Sequence, residues 1–521
     1  MREIDYFNGD RALSGLKSRA VRGASATVCC NVLIYAVQMV STVVLARLVS
    51  PGDFGLVSMV TAFSLLLMSF GANGFTEAVI QQENLNHWQI STLFWINLGI
   101  SMVLAMSFMA FAPIIARFYG EPRLRQIAIV MSFTIVFMAL SNQHTALMKR
   151  NMQFVLASAN DLSAAIIGVV IAIVLALQGW GYWAVAARQV TVTLVTVVGS
   201  WILCRWRPGL PRLRTGIRPM LKYAMQVYGN YAVTYVERHL DKVLVGRFHG
   251  PQSLGNYDRA YHLFGMPINQ LSAPLTNVAL STLSKLRNDR ERFVRYYLNA
   301  ISILAFIGML VSAVLTLIGR DLILVLLGSQ WTKAGVIFSA LGPSIGIALI
   351  YITQGWLHLS LGRADRWLRW SIVSLATTGT SFVIGVQFGA LGVAIAYTAS
   401  FYLMFGPALW YAGKPINLKL SSIISEIWRY FVSALGAGLL TWIILYSVGM
   451  TSEMFIRTNV FVRIAISALL CTSVYLILII GLYKGTQPIS QFLGLIGQMI
   501  PAKFGQKIGQ HAGAWGNGTN L

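Results

Sequence analysis

Residues 44–56 read VLARLVSPGDFGL and residues 244–256 read LVGRFHGPQSLGN, so Arg47, Pro51 and Gly55 return as Arg247, Pro251 and Gly255 at an offset of 200. Each copy lies between two long apolar runs, the place of a short connection between membrane helices. A second echo follows in each half, where Arg150 and Phe154 of RNMQF match Arg363 and Trp367 of RADRW at an offset of 213. The chain reads as two copies of one multi-helix membrane unit. Duplicated bundles of this kind recur in secondary transporters, where two related halves rock around a central site.

Composition agrees. Of 521 residues, 56% are hydrophobic and 11% charged, about half the charged share of soluble domains. Fourteen apolar runs are long enough to cross a hydrocarbon core of ~30 Å, at 23–48, 54–78, 88–112, 124–147, 155–177, 180–203, 219–248, 253–282, 296–318, 331–358, 368–387, 389–411, 428–448 and 461–483. The expected fold class is therefore an all-α integral membrane protein of about 14 transmembrane helices, two six-helix bundles related by the repeat plus a C-terminal pair. The expected organisation is an N-terminal segment (1–22), a first bundle (23–203), a basic linker (204–218), a second bundle (219–411), an extra helix pair (428–483) and a tail (484–521).

Of the 40 lysines and arginines, 27 fall on the side of the N-terminus and 11 on the opposite side when cations near or inside the outer helix ends are counted there, and two more, Arg188 and Arg259, lie within spans. That bias places both termini in the cytoplasm. It also accounts for most of the net charge of +23: the run Arg205, Arg207, Arg212, Arg214, Arg218 and Lys222 is expected to face anionic membrane lipid rather than nucleic acid. The first 22 residues carry Glu3, Asp5 and Asp10 and no apolar core, unlike a secretory leader. Cys29, Cys30, Cys204 and Cys471 have no metal-ligand spacing, and no cofactor is expected. Beyond Pro488, apolar residues at helical spacing predict an amphipathic stretch on the inner leaflet, followed from His511 by a glycine-rich end.

Charge inside a span is costly, so each instance is a functional candidate. Span 7 holds Glu237, Arg238, Asp241 and Lys242, where the offset of 200 puts the neutral Val37, Gln38, Ser41 and Thr42 in span 1. At 100° per residue, Asn230, Thr234, Glu237 and Asp241 form a stripe with Arg238 and Lys242 in a row beside it. Such a face must look into a cavity or a helix seam. The competing reading is self-neutralisation, Arg238 pairing with Asp241 at i+3. Span 8 adds Asp258 and Arg259, in a place where they would also serve as an interfacial anchor. Asp161 and Arg188 sit at different depths, ~10 Å from the inner end and ~12 Å from the outer end of their spans. They pair only if the helices tilt or the side chains stretch; otherwise at least one faces the central cavity, and Arg188 is the one expected to await an anion. Gly265, Pro267 and Pro274 in span 8 and Gly342, Pro343 and Gly346 in span 10 permit bending.

Nothing in the chain supports catalysis: it has no Walker A loop, GxSxG, HExxH or cysteine–histidine cluster. The segments LARLVSPGDFGLVSM, ALMKRNMQF and LDKVLVGRFHGPQSLGNYDRAYHLF resemble the polysaccharide transporters of the multidrug/oligosaccharidyl-lipid/polysaccharide superfamily, in particular Wzx-type flippases of the bacterial inner membrane. The resemblance covers about residues 20–485. It implies two six-helix bundles around a central cavity, alternating between inward and outward openings. It also implies a substrate of oligosaccharide carried on undecaprenyl pyrophosphate, flipped to the periplasmic leaflet for exopolysaccharide, capsule or O-antigen assembly beside polymerase and export partners. Arg188, Arg238, Lys242 and Arg259 are the candidate cations for a pyrophosphate. Glu237, Asp241 and Asp161 are the candidates for coupling to H+ or Na+. The alternatives are a multidrug or metabolite antiporter, expected to have a mainly acidic cavity, and a lipid II flippase of the same superfamily. A membrane scaffold or the pathway's polymerase is a further alternative. A polymerase is expected to carry a large outer loop, and the outer segments here reach only about a dozen residues.

Overall fold

The structure, a computed structural model, describes residues 16–70, 75–76, 79, 86–212, 217–447, 459–487 and 490. The expected amphipathic stretch and glycine-rich end lie outside these residues, as do most of the N-terminal segment and the side chains of Asn230 and Thr234. The described elements are all helical. In chain order they are α1 (Leu16–Leu48), α2 (Pro51–Phe70), α3 (His87–Tyr119), α4 (Leu124–Arg150), α5 (Phe154–Leu177), α6 (Tyr182–Leu203) and α7 (Arg218–Lys285). There follow α8 (Arg290–Leu327), α9 (Thr332–Leu341), α10 (Ser344–Tyr351), α11 (Thr353–Ser360), α12 (Ala364–Gly385), α13 (Gly389–Gly413), α14 (Leu420–Ser447) and α15 (Val460–Tyr483), with short 3-10 turns between some of them.

Large apolar side chains cover the outside of these helices, among them Val103, Met106, Phe111 and Ile114 on α3 and Leu439, Trp442 and Ile443 on α14. An exterior so apolar needs lipid as its solvent, so the chain is a multi-pass membrane protein. Ten helices among the described residues are long and apolar enough to span, or eleven if the bent pair 329–341 and 344–360 is one crossing. Helix α7 is not among them, because Glu237, Arg238, Asp241, Lys242, Asp258 and Arg259 interrupt its apolar sequence. Fourteen crossings thus remain an expectation, although helix is present at each of the fourteen apolar runs.

The repeated turn is built as expected at an offset of 200: Pro51 and Pro251 each open a helical segment, proline's fixed φ suiting a first turn. In the second copy Gly250 breaks α7 into two arms, 218–249 and 251–285, at φ 73 and ψ −179, a conformation that glycine adopts without strain. The second echo slips. The reversal between α4 and α5 puts Met152 at φ 55, and that between α11 and α12 puts Gly362 at φ 68, an offset of 210. The arginines of the echo therefore differ in role. Arg150 is the last residue of α4 and donates to the Val79 carbonyl, whereas Arg363 lies beyond α11 beside Asp365.

The chain forms two compact units. The first comprises Met1–Arg259, Leu326–Thr332 and Thr378–Val393. In it α4 packs against α2, α3 and α6, and α5 lies between α1 and α6. Asn86 opens α3 with a capping box: its Oδ1 accepts from the Gln89 amide, and its own amide donates to Gln89 Oε1. The basic linker is strapped onto the start of this helix. Trp95 Nε1 donates to Gly209 O at 2.8 Å, Gly209 N to Ser91 Oγ at 2.9 Å, and Arg212 stacks 3.3 Å above the Trp88 ring. Arg205, Arg207 and Arg212 remain exposed.

The second unit comprises Ala260–Val325, Lys333–Thr377 and Ala394–Leu521. Its Gly342–Pro343 break bends the span by 55°, and the carbonyl freed at Gly342 accepts from Ser312 Oγ at 2.8 Å. Gly265, Pro267 and Pro274 do not break the second arm of α7, which stays helical through all three. Here Tyr475 Oη donates to Phe306 O at 2.8 Å, and Arg463 pairs with Asp321 through two of its guanidinium nitrogens.

Candidate functional site

The charged residues of spans 7 and 8 come together across the Gly250 break, because two helical arms joined by one non-helical residue must fold back on each other. Asp258 is their centre. It is 5% exposed, with Lys242 Nζ 2.8 Å from Oδ1 and Arg259 Nη2 2.6 Å from Oδ2. Asp241, 1% exposed, accepts from the Tyr257 hydroxyl at 2.7 Å and from the Lys242 amide at 2.7 Å. Its two oxygens are thereby occupied from both arms.

Pairing of Arg238 with Asp241 is overturned by this arrangement. Arg238 is exposed and makes no ion pair with Asp241, whose buried carboxylate turns toward the second arm. The physical reason is depth: the short Asp241 side chain meets Tyr257 and its neighbour's amide before a long guanidinium can wrap back one turn. Glu237 stays partly exposed on the same arm.

Arg259 lies 4.7 Å over the Phe54 ring, and its Nε is buried without a hydrogen-bond partner. The Arg188 Nε is likewise buried and unpartnered, and Arg259 is the charged neighbour that acts on Arg188. The two guanidinium groups thus lie within electrostatic reach of each other, each with a buried donor to spare. Counting Arg188, Lys242 and Arg259 against Asp241 and Asp258, the cluster has one cation in excess when all are ionised. An anion with several oxygens is the ligand that such donors fit. Asp161 is not part of the cluster, being exposed on α5.

Three contributors escape a reading of charge alone. Tyr257 orients Asp241, Phe54 underlies Arg259, and Asn160 ties α5 to α6 by donating to Thr196 O at 3.1 Å. The signal for Tyr257 was its place beside Asp258, sixteen residues from Asp241 across a helix break. For Asn160 the signal was an amide in an apolar run. The first repeat is neutral at the corresponding positions: Ser41 and Thr42 stand for Asp241 and Lys242, and Ser58 and Met59 for Asp258 and Arg259. Among the described residues, no group of three or more histidine, cysteine or acidic side chains is placed to hold a metal.

Apolar-faced helices, an internal repeat and a buried charged cluster have the fold of the multidrug/oligosaccharidyl-lipid/polysaccharide superfamily of transporters. The lipid II flippase MurJ in an inward closed conformation superposes with a TM-score of 0.72 at 15% identity, covering 89% of this chain and 99% of that one. An inward-facing multidrug resistance MATE family transporter of the MOP superfamily gives 0.58, also at 15%, covering 73% and 94%. Residues 44–335 match the polysaccharide biosynthesis protein family, and the chain belongs to that family. Among its relatives are the teichuronic acid biosynthesis protein TuaB of Bacillus subtilis, 24% identical over 82% of this chain and 87% of that protein, and the lipopolysaccharide biosynthesis protein WzxC of Escherichia coli, 21% identical over 78% and 85%. The succinoglycan biosynthesis transport protein ExoT of Rhizobium meliloti is 24% identical over 68% and 72%.

Proposed function

We propose that the protein is a flippase that moves an oligosaccharide linked to undecaprenyl pyrophosphate from the cytoplasmic to the outer leaflet of a bacterial inner membrane by alternating access. On this reading both termini are cytoplasmic, and residues 23–203 and 219–411 are the two moving bundles. The observation that carries the proposal is that Arg188 and Arg259 each keep a buried guanidinium Nε–H without a partner, in a family of polysaccharide biosynthesis proteins. A diphosphate offers the oxygens that these donors lack, in surroundings where charge-assisted bonds are strong. A multidrug antiporter would recognise cations, and the net charge of the cluster disfavours it. Coupling to H+ or Na+ would run through Asp241, whose Tyr257 and Lys242 bonds would rearrange on loading.

The test is flipping of undecaprenyl-pyrophosphate-linked oligosaccharide in proteoliposomes, with Arg188→Ala and Arg259→Ala compared at matched folded protein. Loss of at least ten-fold in both is expected, with Arg238→Ala near wild type. Wild-type flipping no faster than empty liposomes refutes the substrate assignment. Full activity in both variants refutes the cationic route.

A further inference from the structure

The two copies of the repeated turn touch each other. A Cβ built on Gly55 would lie 1.8 Å from Pro251 O, and one built on Gly255 would lie 1.7 Å from Pro51 O. The contact is reciprocal, each glycine facing the carbonyl of the proline that opens the other segment. Neither glycine has a positive φ, so space and not backbone conformation demands it. In a helix glycine is less favourable than alanine, a disadvantage accepted here twice. With no side chain between them, each glycine Cα–H points at the opposing carbonyl, a geometry that gives weak Cα–H···O bonds.

The same end of the first unit carries other ties. Trp331 Nε1 donates to Ala46 O at 2.7 Å, the Trp331 ring meets the Phe54 edge at 5.6 Å, and His249 Nε2 lies 2.5 Å from Val386 O. Gly255 is one helical turn from Arg259, on the outer side of it by the lysine and arginine bias. The glycine contact therefore caps the cationic cluster on the outer face.

We infer that the Gly55–Gly255 crossing is the outer gate of the transport route: it holds the outer end shut over Arg259, and the two turns separate when substrate leaves. The inference rests on the flippase reading for its cargo, but its geometry is independent of what the cargo is. Sealing by bare backbone suits a gate that must open. Two backbones without interlocked side chains part without repacking, while their close approach leaves no gap for an ion or a headgroup.

The test uses the full chain with Cys29, Cys30, Cys204 and Cys471 replaced by serine. Ser58, buried and three residues inward of Gly55, becomes the reporter as Ser58→Cys, labelled by a membrane-impermeant thiol reagent applied from the outer side. In the parent, labelling is slow. With Gly55→Ala or Gly255→Ala the backbones must part by at least about 1.2 Å to bring the new methyl out to 3.0 Å, and labelling rises at least five-fold. A second arm needs no methyl. A Cβ on Gly52 would lie 3.0 Å from Gln252 Oε1, so Gly52→Cys with Gln252→Cys, bridged from the outer side by a short reducible bis-methanethiosulfonate that spans the length of the lost glutamine, suppresses Ser58→Cys labelling and stops transport until reductant is added. Unchanged labelling in folded alanine variants overturns the gate, as does full transport by the cross-linked protein, which would make the crossing a fixed pivot. A chain that labels and cross-links as expected but flips no lipid-linked oligosaccharide keeps the gate and loses the cargo.

Discussion

Replacing Asp258 with asparagine removes the anion from a centre where two cations converge. Lys242 Nζ at 2.8 Å and Arg259 Nη2 at 2.6 Å are both mostly buried, with side-chain exposures of 15% and 17%. At an effective dielectric of ~20, a pair 2.8 Å apart attracts by roughly 6 kcal/mol before desolvation is counted. Breaking a buried pair from one side costs ~3–5 kcal/mol net, because the partner charges stay behind. For a chain of 521 residues that unfolds cooperatively, the unfolding entropy of ~2.1 cal/mol/K per residue turns this into a fall in midpoint of about 3–5 °C. Thermal unfolding in detergent, followed by loss of the monodisperse size-exclusion peak, measures it. Lys242→Met in the same chain should recover part of the loss, since one of the two stranded cations goes. An Asp258→Asn midpoint within 1 °C of wild type would refute the reasoning, and so would a double variant whose losses simply add.

Other contacts make sharper structural claims. Gly199→Ala should destabilise by about 1–3 kcal/mol, because its Cβ would lie 1.8 Å from Asn160 Oδ1 and the amide must swing off Thr196 O, and Asn160→Ala should recover part of that loss by removing the obstacle, read as the unfolding midpoint. Tyr475→Phe deletes a buried hydroxyl that donates to Phe306 O and should cost about 1 kcal/mol, seen as a midpoint shift near 1 °C with transport intact. Arg463→Lys keeps the charge opposite Asp321 but loses the two-point contact. It should lower the midpoint nearly as far as Arg463→Ala, since a lysine cannot reproduce the fork; equal stability of lysine variant and wild type would contradict the pairing.

Fold and site were legible to different extents because they are written at different ranges. Helix positions follow from local hydropathy, which the membrane enforces residue by residue, and the Pro51 and Pro251 helix starts follow from a motif only a dozen residues long. The Gly342–Pro343 bend was visible for the same reason. The Arg150 and Arg363 echo misled because an arginine near the inner interface recurs for lipid as well as for lineage; only the left-handed residues Met152 and Gly362 show which positions correspond. Asp241 found Tyr257 rather than Arg238 because the choice depends on how two arms meet across Gly250, and helical periodicity within one arm contains nothing about the other. Asp161 failed as a partner for a related reason: exposure on a face is decided by neighbours distant in sequence.

The two kinds of repeat residue point to a division of labour. Gly55 and Gly255 are interchangeable in role, each fitting against the other's proline carbonyl, and a symmetric contact of this sort can exist only while both copies keep it. The charges follow the opposite rule. Asp241, Lys242, Asp258 and Arg259 all belong to the second copy, against serine, threonine, serine and methionine in the first. Had both copies carried the cluster, a second set of charges would have to be buried near the crossing, and their desolvation would oppose the closure that the glycines permit. A first copy that is neutral at these positions removes that conflict: it supplies Phe54 as an apolar floor under Arg259, while the second copy supplies Lys242 and Arg259. Transferring charges to the first copy, as Ser41→Asp with Thr42→Lys, should therefore weaken the crossing and raise outer-side labelling of Ser58→Cys without any change at either glycine.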